Sequence, residues 1–161
     1  MAPRLELEPR LELDLSYASR SPWVPGSRLL SKWAVAALRS MRKPVSKTMV
    51  LSVRIVGKSR SRSLNARYRH KDKPTNVLSF AGAGNVPDGR YFLGELVICA
   101  PVVAFEARAQ GKALQAHWAH MTVHGVLHLL GFDHEQAAEA AKMASREIQI
   151  LDRLGFSDPY P

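Results

Sequence analysis

Residues 124–134 read HGVLHLLGFDH, three histidines in the spacing HxxxHxxGxxH. On a helix, His124 and His128 stand one turn apart on the same face, close enough to share one ligand. Gly131 then ends the helix. A glycine there takes a positive φ, which turns the chain back and lets His134 approach the two helical imidazoles from outside. Three neutral nitrogen ligands leave one coordination position open, as expected of a catalytic rather than a structural zinc.

Five of the six histidines fall within residues 117–134. At about 100° per residue, His117, His120, His124 and His128 lie within roughly 80° of arc on one helical stripe. Taken singly, His117 and His120 read as surface or hydrogen-bonded core histidines. Zinc proteases with HExxHxxGxxH place a glutamate after the first histidine as general base, but here that position is Gly125. A glycine inside a helix costs about 1 kcal/mol relative to alanine, so something approaches this backbone closely. That approach is either a packed neighbour or a bulky ligand above the metal. Asp133, the nearest carboxylate in sequence, has two compatible readings: it orients an imidazole or handles a proton, or with Gln136 it forms a capping box for the last helix. His124 and Asp133 are therefore catalytic candidates besides their other roles.

The chain of 161 residues, 46% of them apolar, suits one domain with its own core. Its one cysteine, Cys99, excludes an intrachain disulfide and a cysteine-based zinc cluster. The longest apolar run, residues 96–105, contains Pro101 and is too short to span a bilayer. The start, MAPRLELEPR, lacks the apolar core of a secretory signal, so a cytoplasmic location is expected. The formal charge is +9, and residues 39–73 hold twelve Lys or Arg against one acid, Asp72. Such a block points to a polyanionic partner, nucleic acid ahead of membrane. Arg60, Arg62, Arg67, Arg69, Lys71 and Lys73 are the candidate RNA contacts. A phosphodiester beside a dication also needs an arginine whose planar fork of donors neutralises developing charge.

The elements are expected as follows. Residues 5–7 and 10–17 alternate apolar and charged side chains, a strand pattern interrupted by Pro9, with residues 1–9 a loose tail. A core helix starts from Ser27 as N-cap and buries Leu29, Leu30, Trp33, Ala34, Ala37, Leu38 and Met41. Residues 49–55 form a second strand that stops at Gly57, and residues 58–69 a short exposed helix terminated by Pro74. Residues 75–80 form a third strand, and the glycine-rich residues 81–90 a mobile connection. Residues 91–99 form a central strand antiparallel to its predecessor. Three helices follow: from Pro101 to about Gln110, over residues 112–130, and over residues 135–154 with Ala137, Ala140, Ala141, Ala144, Ile148 and Leu151 inward. The tail SDPYP needs no structure. The sum is an α+β domain of about four strands in a mixed sheet with five or six helices, its metal site on a long central helix.

HGVLHLLGFDH, with LNARYRHKDKPTNVLSF at residues 64–80 and LGELVIC at residues 93–99, resembles the YbeY family of bacterial rRNA maturation endoribonucleases, in the family's order and spacing over roughly residues 45–160. The resemblance implies one Zn2+ per chain held by His124, His128 and His134, and Arg69 as the essential arginine. It implies cleavage of single-stranded RNA, maturation of the small-subunit rRNA 3′ end, ribosome quality control, and partners among rRNA, the small ribosomal subunit and its assembly factors. Glu95 stands where the family usually has aspartate, and Ala81 where a proline is common. Two alternatives remain: a ribosome assembly factor whose metal only stabilises the fold, and a metal-dependent hydrolase of another substrate such as peptide.

Overall fold

MVLSVRIV alternates apolar residues that need burial with residues that tolerate the opposite side, and it forms the strand β2 (Met49–Val56). The computed structural model describes residues 8–18, 22–41, 47–132 and 136–160. β2 lies between β1 (Leu11–Tyr17) and β4 (Tyr91–Cys99), parallel to both, and β3 (Val77–Asn85) pairs antiparallel with β4 at the far edge. The sheet order β1-β2-β4-β3 is thus mixed, with β4 central and antiparallel to its predecessor as expected. The connection from β1 to β2 passes through α1 (Ser27–Arg39), as a parallel pair requires a crossover rather than a tight turn. Residues 5–7 and most of the expected tail lie outside the described residues. Glu8, which is described, accepts hydrogen bonds from Arg39 at the end of α1.

The helices divide unequally between the two faces. α1, α4 (Leu114–Leu129) and α5 (Ala137–Arg153) cover the face carrying Leu51, Val53, Ile55, Leu96 and Ile98 and form the main core with it. α2 (Lys58–Arg69) covers part of the other face, where Val56, Leu78, Val97 and Cys99 make a smaller cluster with Leu64, and α3 (Ala100–Ala109) spans both, with Val102 in this cluster and Ala100 and Val103 in the main core. None of the described helices is long and apolar enough to cross a membrane.

Four local expectations are corrected. The N-cap of α1 is Gly26, not Ser27, and it makes no side-chain capping bond. α2 ends before Pro74, because His70 adopts a left-handed conformation and its amide bonds back to Ala66. Residues 81–85 are strand rather than mobile connection. Gly82, and Gly94 of β4 near it, serve close backbone approach at a bulge: a Cβ on Gly82 would lie 2.3 Å from the Phe92 carbonyl oxygen, and one on Gly94 2.4 Å from that of Phe80. Finally, the buried stripe of α5 is Met143, Glu147, Ile150 and Leu151; Ala137 and Ala141 are exposed. Of the six residues expected inward, only Leu151 belongs to that stripe.

Candidate metal centre

α4 carries apolar residues on nearly every side and packs against the sheet, α1, α3 and α5, so His117 and His120 are buried with Trp118, Val123 and Val126. A buried imidazole needs partners, and neighbouring helices provide carboxylates. Glu106 of α3 faces His117, with 3.0 Å from Nε2 to Oε1, and also accepts from Asn76 Nδ2 at 3.1 Å. Glu147 of α5 takes two histidines: His120 Nε2 lies 2.8 Å from Oε2, and His124 Nδ1 lies 2.5 Å from Oε1. Tyr160 completes the cluster by donating its hydroxyl to Glu147 Oε2, 3.2 Å from His120 Nε2. The terminal segment, expected to need no structure, is therefore docked, and Pro159 also accepts from Lys112 Nζ at 2.7 Å. The four rings run edge-on along the helix, with centroid separations of 6.0, 6.3 and 4.9 Å from His117 to His128.

Burial alone pushes the Glu147 carboxyl up. Hydrogen bonds from His120 and His124, the charge of His124 and the Tyr160 hydroxyl more than offset it and hold the carboxyl down at about 2. The same burial, with the hydrogen bond to Glu147, raises the Tyr160 hydroxyl above its ordinary range. Glu106 follows the pattern more weakly: burial raises it, while His117 and Asn76 bring it below its ordinary value.

Do these residues fit a metal? The Nδ1 of His124 is occupied by Glu147, which leaves Nε2 as the ligand nitrogen and fixes how the ring is presented. The ring of His128 stands next to it, 4.9 Å away, and both are half-buried rather than sealed in the core. The described pair thus fits a metal with histidine ligands. His120, His124 and Glu147 also offer three ligand atoms within 4.8 Å of one another, a group able to hold an ion. Those atoms are already engaged by one another at hydrogen-bonding distance, so their geometry favours orientation of His124.

His134 and Asp133 lie outside the described residues. The turn that precedes them is as expected: α4 ends at Leu129, Gly131 has φ +100°, and the Phe132 amide bonds to the Leu127 carbonyl. The N-cap of α5 is Gln136, three residues beyond the position a capping box at Asp133 needs. Gly125 faces the sheet rather than a ligand. A Cβ there would lie 2.7 Å from Leu96 Cδ2, and Ser79 Oγ donates to its carbonyl at 3.2 Å. The close approach inferred from the glycine is real, but its cause is packing against β3 and β4.

Arg69 is exposed at the end of α2, and Arg60, Arg67, Lys71 and Lys73 are exposed along the same segment. Arg62 differs from them, being bidentate to Asp72 at 2.8 and 3.0 Å. Residue reading missed Glu147. Its signal is a carboxylate in the apolar spacing 143, 147, 150, 151, where a helix buries its stripe.

A family model described as Endoribonuclease YbeY matches residues 25–155 of the chain. Among solved structures, the solution structure of TM1509 from Thermotoga maritima is similar in fold. Its TM-score is 0.55 at 22% identity, and the match covers 93% of this chain and 99% of that one.

Proposed function

This chain belongs to the YbeY endoribonuclease family, and on that premise we propose that it is a zinc-dependent endoribonuclease cutting single-stranded RNA. Its proposed setting is cytoplasmic rRNA maturation, at the 3′ end of the small-subunit rRNA, and ribosome quality control. Its partners would be rRNA and the assembling small subunit. The family match over residues 25–155 is the observation that carries this reading. The histidine–carboxylate geometry of α4 supports its metal dependence.

The proposed ligands are His124, His128 and His134. A dication held by three neutral imidazoles acts as a Lewis acid that polarises a phosphoryl oxygen and makes water easier to deprotonate near neutral pH. The chain's own residues do the rest. Glu147 accepts the Nδ1 proton of His124, so that imidazole presents Nε2 in a fixed orientation and tautomer. Glu147 is itself held by His120 and Tyr160, which keep the carboxylate from rotating away. Arg69 is the proposed phosphate partner, its planar donors matching two phosphoryl oxygens. Asp133 is the candidate for moving a proton. Arg60, Arg67, Lys71 and Lys73, exposed and basic, are proposed to hold the RNA backbone. The Gly125 carbonyl is held by Ser79, and no acid occupies the general-base position of a zinc protease, which disfavours peptide hydrolysis.

The test measures metal content and single-stranded RNA cleavage side by side for wild type, His128→Ala and Arg69→Ala. The expected outcome is zinc near one per chain in wild type and Arg69→Ala, cleavage in wild type only, and neither in His128→Ala. Wild-type cleavage rates in His128→Ala would overturn the metal-dependent reading. Complementation of a null strain by metal-loaded Arg69→Ala would instead favour a non-catalytic assembly role.

A further inference from the structure

On the face of the sheet opposite the histidines, α2 and the strands β2, β3 and β4 enclose a groove of about 400 Å³. Arg54, Arg60, Arg67, Tyr68, Phe80 and Glu95 line it. Two of its features are not explained by packing. Tyr68 remains 53% exposed, although its ring meets Phe80 edge-on at 5.0 Å. Three guanidiniums surround it with one carboxylate, Glu95, which is paired with Arg54 at 2.7 Å. Among the described residues, neither Arg60 nor Arg67 pairs with a carboxylate, in contrast to Arg62 on the same helix.

An exposed aromatic ring in a groove with two guanidiniums that lack a carboxylate partner among the described residues suits a planar, electron-rich group carrying negative charge beside it. The Arg67 guanidinium already sits 5.4 Å from the Tyr68 ring centroid, so one cation is shared between the ring and whatever approaches it. A nucleobase with its flanking phosphates has that chemistry, and aromatic platforms in basic grooves bind single strands in this manner. A duplex does not, because its bases are stacked on one another and closed to the ring. The paired Arg54 and Glu95 add a donor and an acceptor at the groove wall, able to meet a base edge.

We propose that this groove seats one base of a single-stranded RNA against Tyr68, with Arg60 and Arg67 on the flanking phosphates. The choice of RNA rests on the ribonuclease reading above; the choice of groove and of Tyr68 does not. From the groove the strand would continue past the end of α2, where Arg69 stands, and around the edge strand β3 toward α4. That strand presents Phe80 to the groove and Ser79 to α4.

Binding of a short phosphorothioate single-stranded RNA, and of the matching duplex, would be followed by fluorescence anisotropy on the full-length, metal-loaded protein across a salt series. Tyr68→Ala should weaken single-strand binding about tenfold, the scale of one stacked base. It should leave duplex binding and the salt dependence unchanged, and Tyr68→Phe should bind like wild type. Arg67→Ala should reduce the slope of log affinity against log salt by roughly 0.7. Single-strand binding by a folded Tyr68→Ala within twofold of wild type would overturn the proposal, as would a wild type that binds no single strand. Cleavage assays on the same proteins separate the two ideas. Cleavage with unaltered Tyr68→Ala binding removes the groove and keeps the ribonuclease; tyrosine-dependent binding without any cleavage does the reverse.

Discussion

α4 and α2 lie on opposite faces of one sheet and treat their polar side chains in opposite ways. Along α4, His117 and His120 are buried, and each has a carboxylate from a neighbouring helix within 3.0 Å. Along α2, the buried residues are only Ser61 and Asn65, and the arginines stand in solvent. Removal of water makes every unpaired group costly, so α4 holds its imidazoles in one arrangement. Charges left in water are cheap to move and adapt to a flexible polyanion. The contrast separates a buried cluster of fixed geometry from an exposed basic surface.

If burial governs the α4 side, the largest effect should come from removing its shared carboxylate. Glu147→Ala leaves two imidazoles without their partner in the core and should cost about 3–5 kcal/mol in urea unfolding of the chelator-treated protein. Glu106→Ala should cost less, since Glu106 is 28% exposed and water can replace it. Equal losses would break the argument.

The folded Glu147 carboxyl sits at about 2, below its ordinary 4.5, so its contribution is fully present above 4.5 and fades as pH falls toward 2. Glu147→Gln should flatten the stability profile in that window, and an unchanged profile would assign acid unfolding to other groups. Gly125→Ala should then cost up to about 2 kcal/mol, because the methyl meets Leu96 at 2.7 Å within the packed helix–sheet contact and alanine's helix preference offsets about 1 kcal/mol of that strain. Tyr160→Phe, which deletes one hydroxyl from the carboxylate cluster, should cost about 1 kcal/mol in the same assay. Smallest of all, Arg62→Ala should leave the melting temperature unchanged, since its pairing with Asp72 is fully exposed. A clear drop would show that the α2 surface is structural after all.

Much of the α4 side was legible in the residues because periodicity reports it. HxxxH places His124 beside His128 on any helix, and Gly131 does adopt the positive φ that its position required. The strand alternation of Met49, Leu51, Val53 and Ile55 was equally direct, since each of the four is buried. What escaped the residues depends on contacts made far along the chain. Glu147 reads as a solvent-facing acid until His120 and His124 are packed against it. Tyr160 reads as tail until that same carboxylate is there to receive its hydroxyl. Gly82 signals freedom in isolation, yet against β4 it marks a place where no Cβ fits. Long-range packing reversed the meaning of each; the periods of α4 and β2 survived it, and that of α5 did not.

The docked tyrosine also imposes an order in time. His120 and Tyr160 are forty residues apart, and His124 precedes Glu147 by twenty-three. At a synthesis rate of roughly 5–20 residues per second, the imidazoles are made seconds before their carboxylate and its hydroxyl clasp. During that interval the histidines of α4 are without the carboxylate and hydroxyl that hold them in the finished fold.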